Sequence, residues 1–106
     1  MLVSQLADKD GGSESATTFV FDNEGHTLGN GLRFIISSYP DVEFCGYTVP
    51  HPAEAKMHFR IQMREGKPAI EALKKGLQDL SKVCDYTLEI FDTEYKQYVE
   101  THPVDT

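Results

Sequence analysis

"PAIEALKKGLQDLSKVCDYTLEIFDTEYKQYVETH", residues 68–102, holds one internal glycine, Gly76, and no proline beyond Pro68 at its start. Pro68 suits the opening of a helix, because its missing N–H would be unpaired there anyway. Apolar residues recur at alternating spacings of three and four: Ile70, Leu73, Leu77, Leu80, Cys84, Phe91 and Tyr98. Thr87 and Glu94 are the weak members of that series, and Leu88 and Tyr95, one position on, widen it. The pattern predicts one helix from Pro68 to about His102, roughly 50 Å long at 1.5 Å per residue. A domain of about 90 residues is only about 30 Å across. The helix must therefore overhang its own domain, and an apolar stripe along an overhang needs a second chain to cover it.

The segments before it read as a small sheet and one short helix. "TTFVF", residues 17–21, is β-branched and aromatic, and "DNEGH" ends it with turn chemistry. In "GHTLGNGLRF", residues 25–34, and just beyond, Leu28, Leu32, Ile35, Ile36 and Tyr39 fall on one helical face. Thr27 is its expected N-cap, and Pro40 lies past its end. "VEFCGYTV", residues 42–49, alternates, with Phe44 on one face and Cys45, Tyr47 and Val49 on the other; Gly46 suggests a bulge or a close approach. In "KMHFRIQMR", residues 56–64, Met57, Phe59, Ile61 and Met63 point inward and Lys56, His58, Arg60 and Gln62 outward. The sum is β-α-β-β-α, an α+β domain with a small antiparallel sheet and both helices on one face. Residues 1–16 are polar, with Gly11 and Gly12 in tandem, and read as a disordered tail before a single domain at 17–106.

Bulk properties narrow the function. The 106 residues carry a formal charge of -7, which argues against a free-standing nucleic-acid binder. The N-terminus has no signal-peptide pattern, and no apolar run approaches the roughly 20 residues that span a bilayer. Cys45 and Cys84 have no CxxC partner and are expected to be reduced. His26, His51, His58 and His102 lack metal-ligand spacing. A Cys45 nucleophile with His26 or His51 as base would make a small cysteine-dependent hydrolase. The simpler reading is an inward strand cysteine and a histidine at a helix start. The basic stretches "LKKGL" and "FRIQMR" are diluted by Glu65 and Glu71. The long helix is acidic beyond Asp85 and would be repelled by anionic lipid.

What survives is a binding module. Gly29 and Gly31 each cost a helix roughly 1 kcal/mol relative to alanine. Their lack of a Cβ suggests that another backbone or helix packs closely there. A homodimeric coiled-coil adaptor is one such module.

"GHTLGNGLR" followed by "PDVEFCGYTVPHPAEAKMHFRIQ" and one long helix resembles the small alpha-like subunits of eukaryotic and archaeal RNA polymerases, over about residues 17–101. "VEFCGY" and "PAIEALKKGLQDLSKVC" look closest to the form shared by polymerases I and III, with the polymerase II and archaeal forms as alternatives. Two departures stand out: Gly25, where the family commonly has an acidic residue, and Gly31, where it usually has alanine, serine or leucine.

The resemblance implies the fold of the bacterial alpha-subunit dimerisation domain. It implies a non-catalytic subunit, without cofactor or metal, that pairs with the larger alpha-like subunit. That pair would be the platform for the large catalytic subunits in rRNA, 5S rRNA and tRNA synthesis, away from the DNA, in the nucleus and nucleolus. His26, Thr27, Leu28, Gly29 and Asn30, with Arg33 beside them, would belong to the alpha motif at the heterodimer interface. Leu32 and Ile35 on the first helix, and Leu73, Leu77, Leu80, Cys84 and Phe91 on the second, complete the expected interface.

Overall fold

In the computed structural model, which describes residues 3–5, 14–51 and 53–103, four antiparallel strands form one sheet. They are β1 (Val3–Gln5), β2 (Ala16–Asp22), β3 (Val42–Thr48) and β4 (Lys56–Met63), in the spatial order β1-β2-β4-β3. Helix α1 (His26–Ile36) lies between β2 and β3, and α2 (Ala69–Thr101) follows β4. β2 and β4 pair along their whole length, from Ala16 opposite Gln62 to Asp22 opposite Lys56.

Strict alternation on β2 and β4 sorts the sheet into two faces. Phe19, Phe21, Met57, Phe59 and Ile61 are buried against Leu32 and Ile36 of α1 and Ala69, Ala72 and Leu73 of α2. Thr18, Val20, His58 and Arg60 point the other way and stay half-buried. Both helices thus cover one face, as the alternation of "KMHFRIQMR" predicts.

Four details depart from the sequence reading. Within the expected tail, Val3–Gln5 form β1, with Val3 opposite Phe21 and Gln5 opposite Phe19. The Glu14 and Ser15 carbonyls accept the amides of Ala69 and Met63, each at 2.7 Å. The rest of the tail reading, residues 1–2 and 6–13, lies outside the described residues. Short polar segments order when a neighbouring edge supplies backbone partners, a gain that composition does not reveal.

Helix α1 starts at His26 with Gly25 as N-cap and no side-chain cap. Thr27 is therefore inside the first turn rather than capping it. The irregularity in β3 falls between Val42 and Phe44, not at Gly46. Gly46 is the other alternative read from the sequence, a close approach: the Phe44 ring packs on it, with Cζ 3.2 Å from where a Cβ would stand. Finally, α2 begins one residue after Pro68, which is its N-cap in extended conformation.

Helix α2 is 33 residues long and leaves the domain partway along. Ala69, Ala72, Leu73 and Gly76 are buried, Leu77 and Leu80 half-buried, and every residue from Ser81 to Tyr98 is exposed. The molecule measures 63 × 35 × 17 Å, so the long axis is set by this overhang. The sheet offers about seven residues of strand, so it can cover only about the first four turns of a helix this long.

Candidate functional site

The start of α1 is held by β3. His26 Nδ1 and the Tyr47 hydroxyl share a hydrogen bond of 3.0 Å, and their rings meet edge to face at 5.5 Å. The Tyr47 ring then lies over Gly29. A Cβ there would be 2.6 Å from Tyr47 Cδ2, closer than real contacts allow. Gly29 is buried, and what packs closely on it is a tyrosine ring of this chain rather than the backbone or helix expected there.

Gly31 is less constrained, with Leu80 Cδ1 3.4 Å from a Cβ position. Gly76, the one glycine inside α2, is required. The Ile36 side chain would stand 2.6 Å from its Cβ, so the two helices cross in close contact there.

The expected interface residues divide by burial. Leu32 at 0% and Leu73 at 2% exposure belong to the chain's own core and cannot face another subunit. Both lie on the helix face turned to the sheet, and periodicity alone does not say which apolar surface a stripe meets. Leu28, Leu77 and Leu80 are partly buried against that core, and Ile35 is half-buried. His26, Thr27, Asn30 and Arg33 are exposed on α1, where Arg33 donates to Asn30 Oδ1 at 3.5 Å. Cys84 and Phe91 are exposed on the overhang.

Besides Cys84 and Phe91, the overhang carries the remaining members of the stripe read from the sequence. Leu88, Tyr95 and Tyr98 are exposed beside them, and Phe91 stacks on Tyr95 with centroids 5.9 Å apart. Tyr98 stacks on His102 at 4.5 Å. Residues 84, 88, 91, 95 and 98 form one heptad seam of apolar side chains, uncovered over about four turns. Phe34, 82% exposed on the outer side of α1, is a further apolar residue the sequence reading passed over. Its signal was a phenylalanine on the polar face of an amphipathic helix.

The candidate hydrolase residues Cys45 and His26 are engaged elsewhere. Cys45 is 9% exposed, with Sγ 3.0 Å from Ser37 Oγ and donating to the Arg33 carbonyl at 3.7 Å. His26 is engaged with Tyr47 instead. Among the described residues no group of histidine, cysteine and carboxylate side chains could hold a metal ion, and no helix is long and apolar enough to cross a membrane.

At the foot of α2, Tyr39 donates to Asp79 Oδ2, and Lys75 Nζ lies 4.4 Å from the Tyr39 ring centroid. Burial, the hydrogen bond to Asp79 and the carboxylate's charge together push the Tyr39 phenol well above its ordinary range. This cluster pins the segment after α1 onto α2.

Comparisons with known proteins agree with this geometry. A family profile described as "RNA polymerase Rpb3/Rpb11 dimerisation domain" matches residues 16–89. The Drosophila melanogaster protein "DNA-directed RNA polymerases I and III subunit RPAC2" is 52% identical over 96 residues, covering 91% of this chain and 90% of that protein. The Danio rerio protein of the same name is 47% identical, covering 91% and 86%. The crystal structure of DNA-directed RNA polymerase subunit L from Thermoplasma acidophilum superposes with a TM-score of 0.73 over 97% of both chains, at 21% identity, a likeness of fold. This chain belongs to the RNA polymerase Rpb3/Rpb11 dimerisation-domain family, and within it to the small alpha-like polymerase subunits that its sequence resembles.

Proposed function

We propose that this chain is the small alpha-like assembly subunit of RNA polymerases I and III. Its heterodimer partner is the larger alpha-like subunit, and the pair is the non-catalytic platform on which the large catalytic subunits assemble, in the nucleus and nucleolus. The domain expected at residues 17–106 acts as one unit, with β1 joined to the edge of its sheet. The observation that carries the reading is the uncovered seam of Leu88, Phe91, Tyr95 and Tyr98 on a helix that has left its own domain. Exposed apolar surface of that extent marks a protein interface. The alpha-motif residues His26, Thr27, Asn30 and Arg33 are exposed on α1, the helix whose Gly31 meets Leu80 just before α2 leaves the domain. The names of the Drosophila and zebrafish relatives support polymerases I and III over polymerase II.

The test is purification of the tagged chain from cells, with its companions identified. The larger alpha-like subunit in one-to-one ratio, together with polymerase I and III subunits, is expected. Recovery with polymerase II subunits alone would move the chain to the paralogue. A monomeric chain with no polymerase subunit bound would overturn the reading.

A further inference from the structure

The seam of Cys84, Leu88, Phe91, Tyr95 and Tyr98 occupies one side of the overhang. A second series runs along another side: Val83, Tyr86, Ile90 and Thr93, again at spacings of three and four. Val83, Tyr86 and Ile90 are 51%, 64% and 45% exposed. Thr93 donates its hydroxyl to the Glu89 carbonyl at 3.0 Å, so its methyl is what remains for a neighbour. At 3.6 residues per turn the two seams point about 140° apart. One helix packed in a coiled coil covers a single a/d seam, so it cannot cover both.

The second seam also has the relief of a helix-packing surface. Tyr86, Glu89, Ile90 and Thr93, with Glu94 at the side, line a depression of about 180 Å³. Positions 86, 89, 90 and 93 are i, i+3, i+4 and i+7, the four residues that form the hole for one knob of a facing helix. A cavity of about 150 Å³ holds a benzene ring, so one large aliphatic side chain fits. Glu89 and Glu94 place two carboxylates beside that hole. Over residues 81–101, Lys82 and Lys96 stand against Asp85, Glu89, Asp92, Glu94 and Glu100, a balance of -3. A second copy of this chain would bring the same negative charge to the contact.

We infer that the overhang is clasped from two sides. The Val83–Tyr86–Ile90 seam takes a second amphipathic α-helix, with lysine or arginine flanking its apolar knobs, contributed by a polymerase subunit and separate from the helix on the Leu88–Phe91–Tyr95 seam. Assignment of that first seam rests on the heterodimer reading above; the second seam stands on its own hole and charge.

The test places a photo-crosslinking benzoylphenylalanine at Tyr86 in one version of the chain and at Tyr95 in another, each incorporated into polymerase in cells. Crosslinked peptides are then sequenced. The inference expects the two positions to capture two different helical segments, the one at Tyr86 bearing Lys or Arg beside apolar residues. Ile90→Glu, which fills the hole with a third carboxylate, should lower the Tyr86 crosslink at least tenfold while the Tyr95 crosslink persists. One shared helix at both positions would overturn the inference and leave the heterodimer reading intact. So would capture at Tyr95 with none at Tyr86, or capture of an acidic segment or a second copy at Tyr86. No polymerase peptide at Tyr95 would instead overturn the heterodimer reading, and Tyr86 would still be judged by its own product.

Discussion

The Tyr47 ring occupies the space a side chain on Gly29 would need, its Cδ2 2.6 Å from the Cβ position. The alanine change at residue 29 therefore sets two terms against each other. Helix propensity favours alanine by about 1 kcal/mol, and over-packing costs about 1–3 kcal/mol. Tyr47 cannot swing away freely, since its hydroxyl is bonded to His26. Gly29→Ala is expected to lower stability by roughly 1 kcal/mol in denaturant titration, and a double-mutant cycle with Tyr47→Ala should recover part of the loss. Gly31→Ala meets only an ordinary contact with Leu80 and should raise stability by up to about 1 kcal/mol. Equal effects at both positions would remove the Tyr47 contact as the cause.

Phe91 and Leu73 lie on the same expected stripe but do different work. Phe91 is 60% exposed, so Phe91→Asp should leave the melting of the dilute chain within about 0.5 kcal/mol. It should release the chain from the polymerase, because a carboxylate buried without a partner is costly. Leu73→Ala empties a core position and should cost about 2–5 kcal/mol of folding stability. Co-purification and circular dichroism on the same variants separate the two. Normal assembly with Phe91→Asp would place the interface elsewhere.

Tyr39 gives the fold an alkaline limit. Its phenol holds its proton more tightly in the folded chain, through burial first and then the Asp79 hydrogen bond and charge. The contribution is complete below the ordinary tyrosine value, about 10. It is lost as pH rises further, because the unfolded chain releases the proton first. Unfolding free energies measured from about pH 9 to pH 11 should fall more steeply for the native chain than for Tyr39→Phe. Tyr39→Phe should also cost about 1 kcal/mol at neutral pH. Parallel slopes would mean that Tyr39 is not linked to stability.

The two thiols differ in access. Cys84 is exposed and Cys45 buried. A thiol reagent should label Cys84 in the free folded chain within the time needed to leave Cys45 untouched, and both after denaturation. In the assembled polymerase Cys84 should be protected as well, because it sits at the start of the covered seam. Persistent labelling of Cys84 in the complex would exclude that part of the seam.

Residues 17–101 disclosed their architecture locally. The alternation of Met57, Phe59, Ile61 and Met63 fixed which side of β4 is buried, because side chains on a strand point to opposite faces. The unbroken run from Pro68 to His102 fixed a helix longer than its domain, because length follows directly from rise per residue. The "HTLGN" stretch pointed to the family.

Tertiary structure decided the rest. Sequence shows that Leu32, Leu73 and Phe91 are apolar and suitably spaced, but the sheet's extent determines that the first two are buried and the third exposed. Sequence marks Gly29 as a point of close approach without naming what approaches, and it gives Gly76 no role; Tyr47 and Ile36 arrive from distant segments to fill the space beside them. Val3–Gln5 gain a strand only because β2 presents an open edge. In each case the deciding partner lies far away in the chain, and burial is a property of that partner's position rather than of any residue alone.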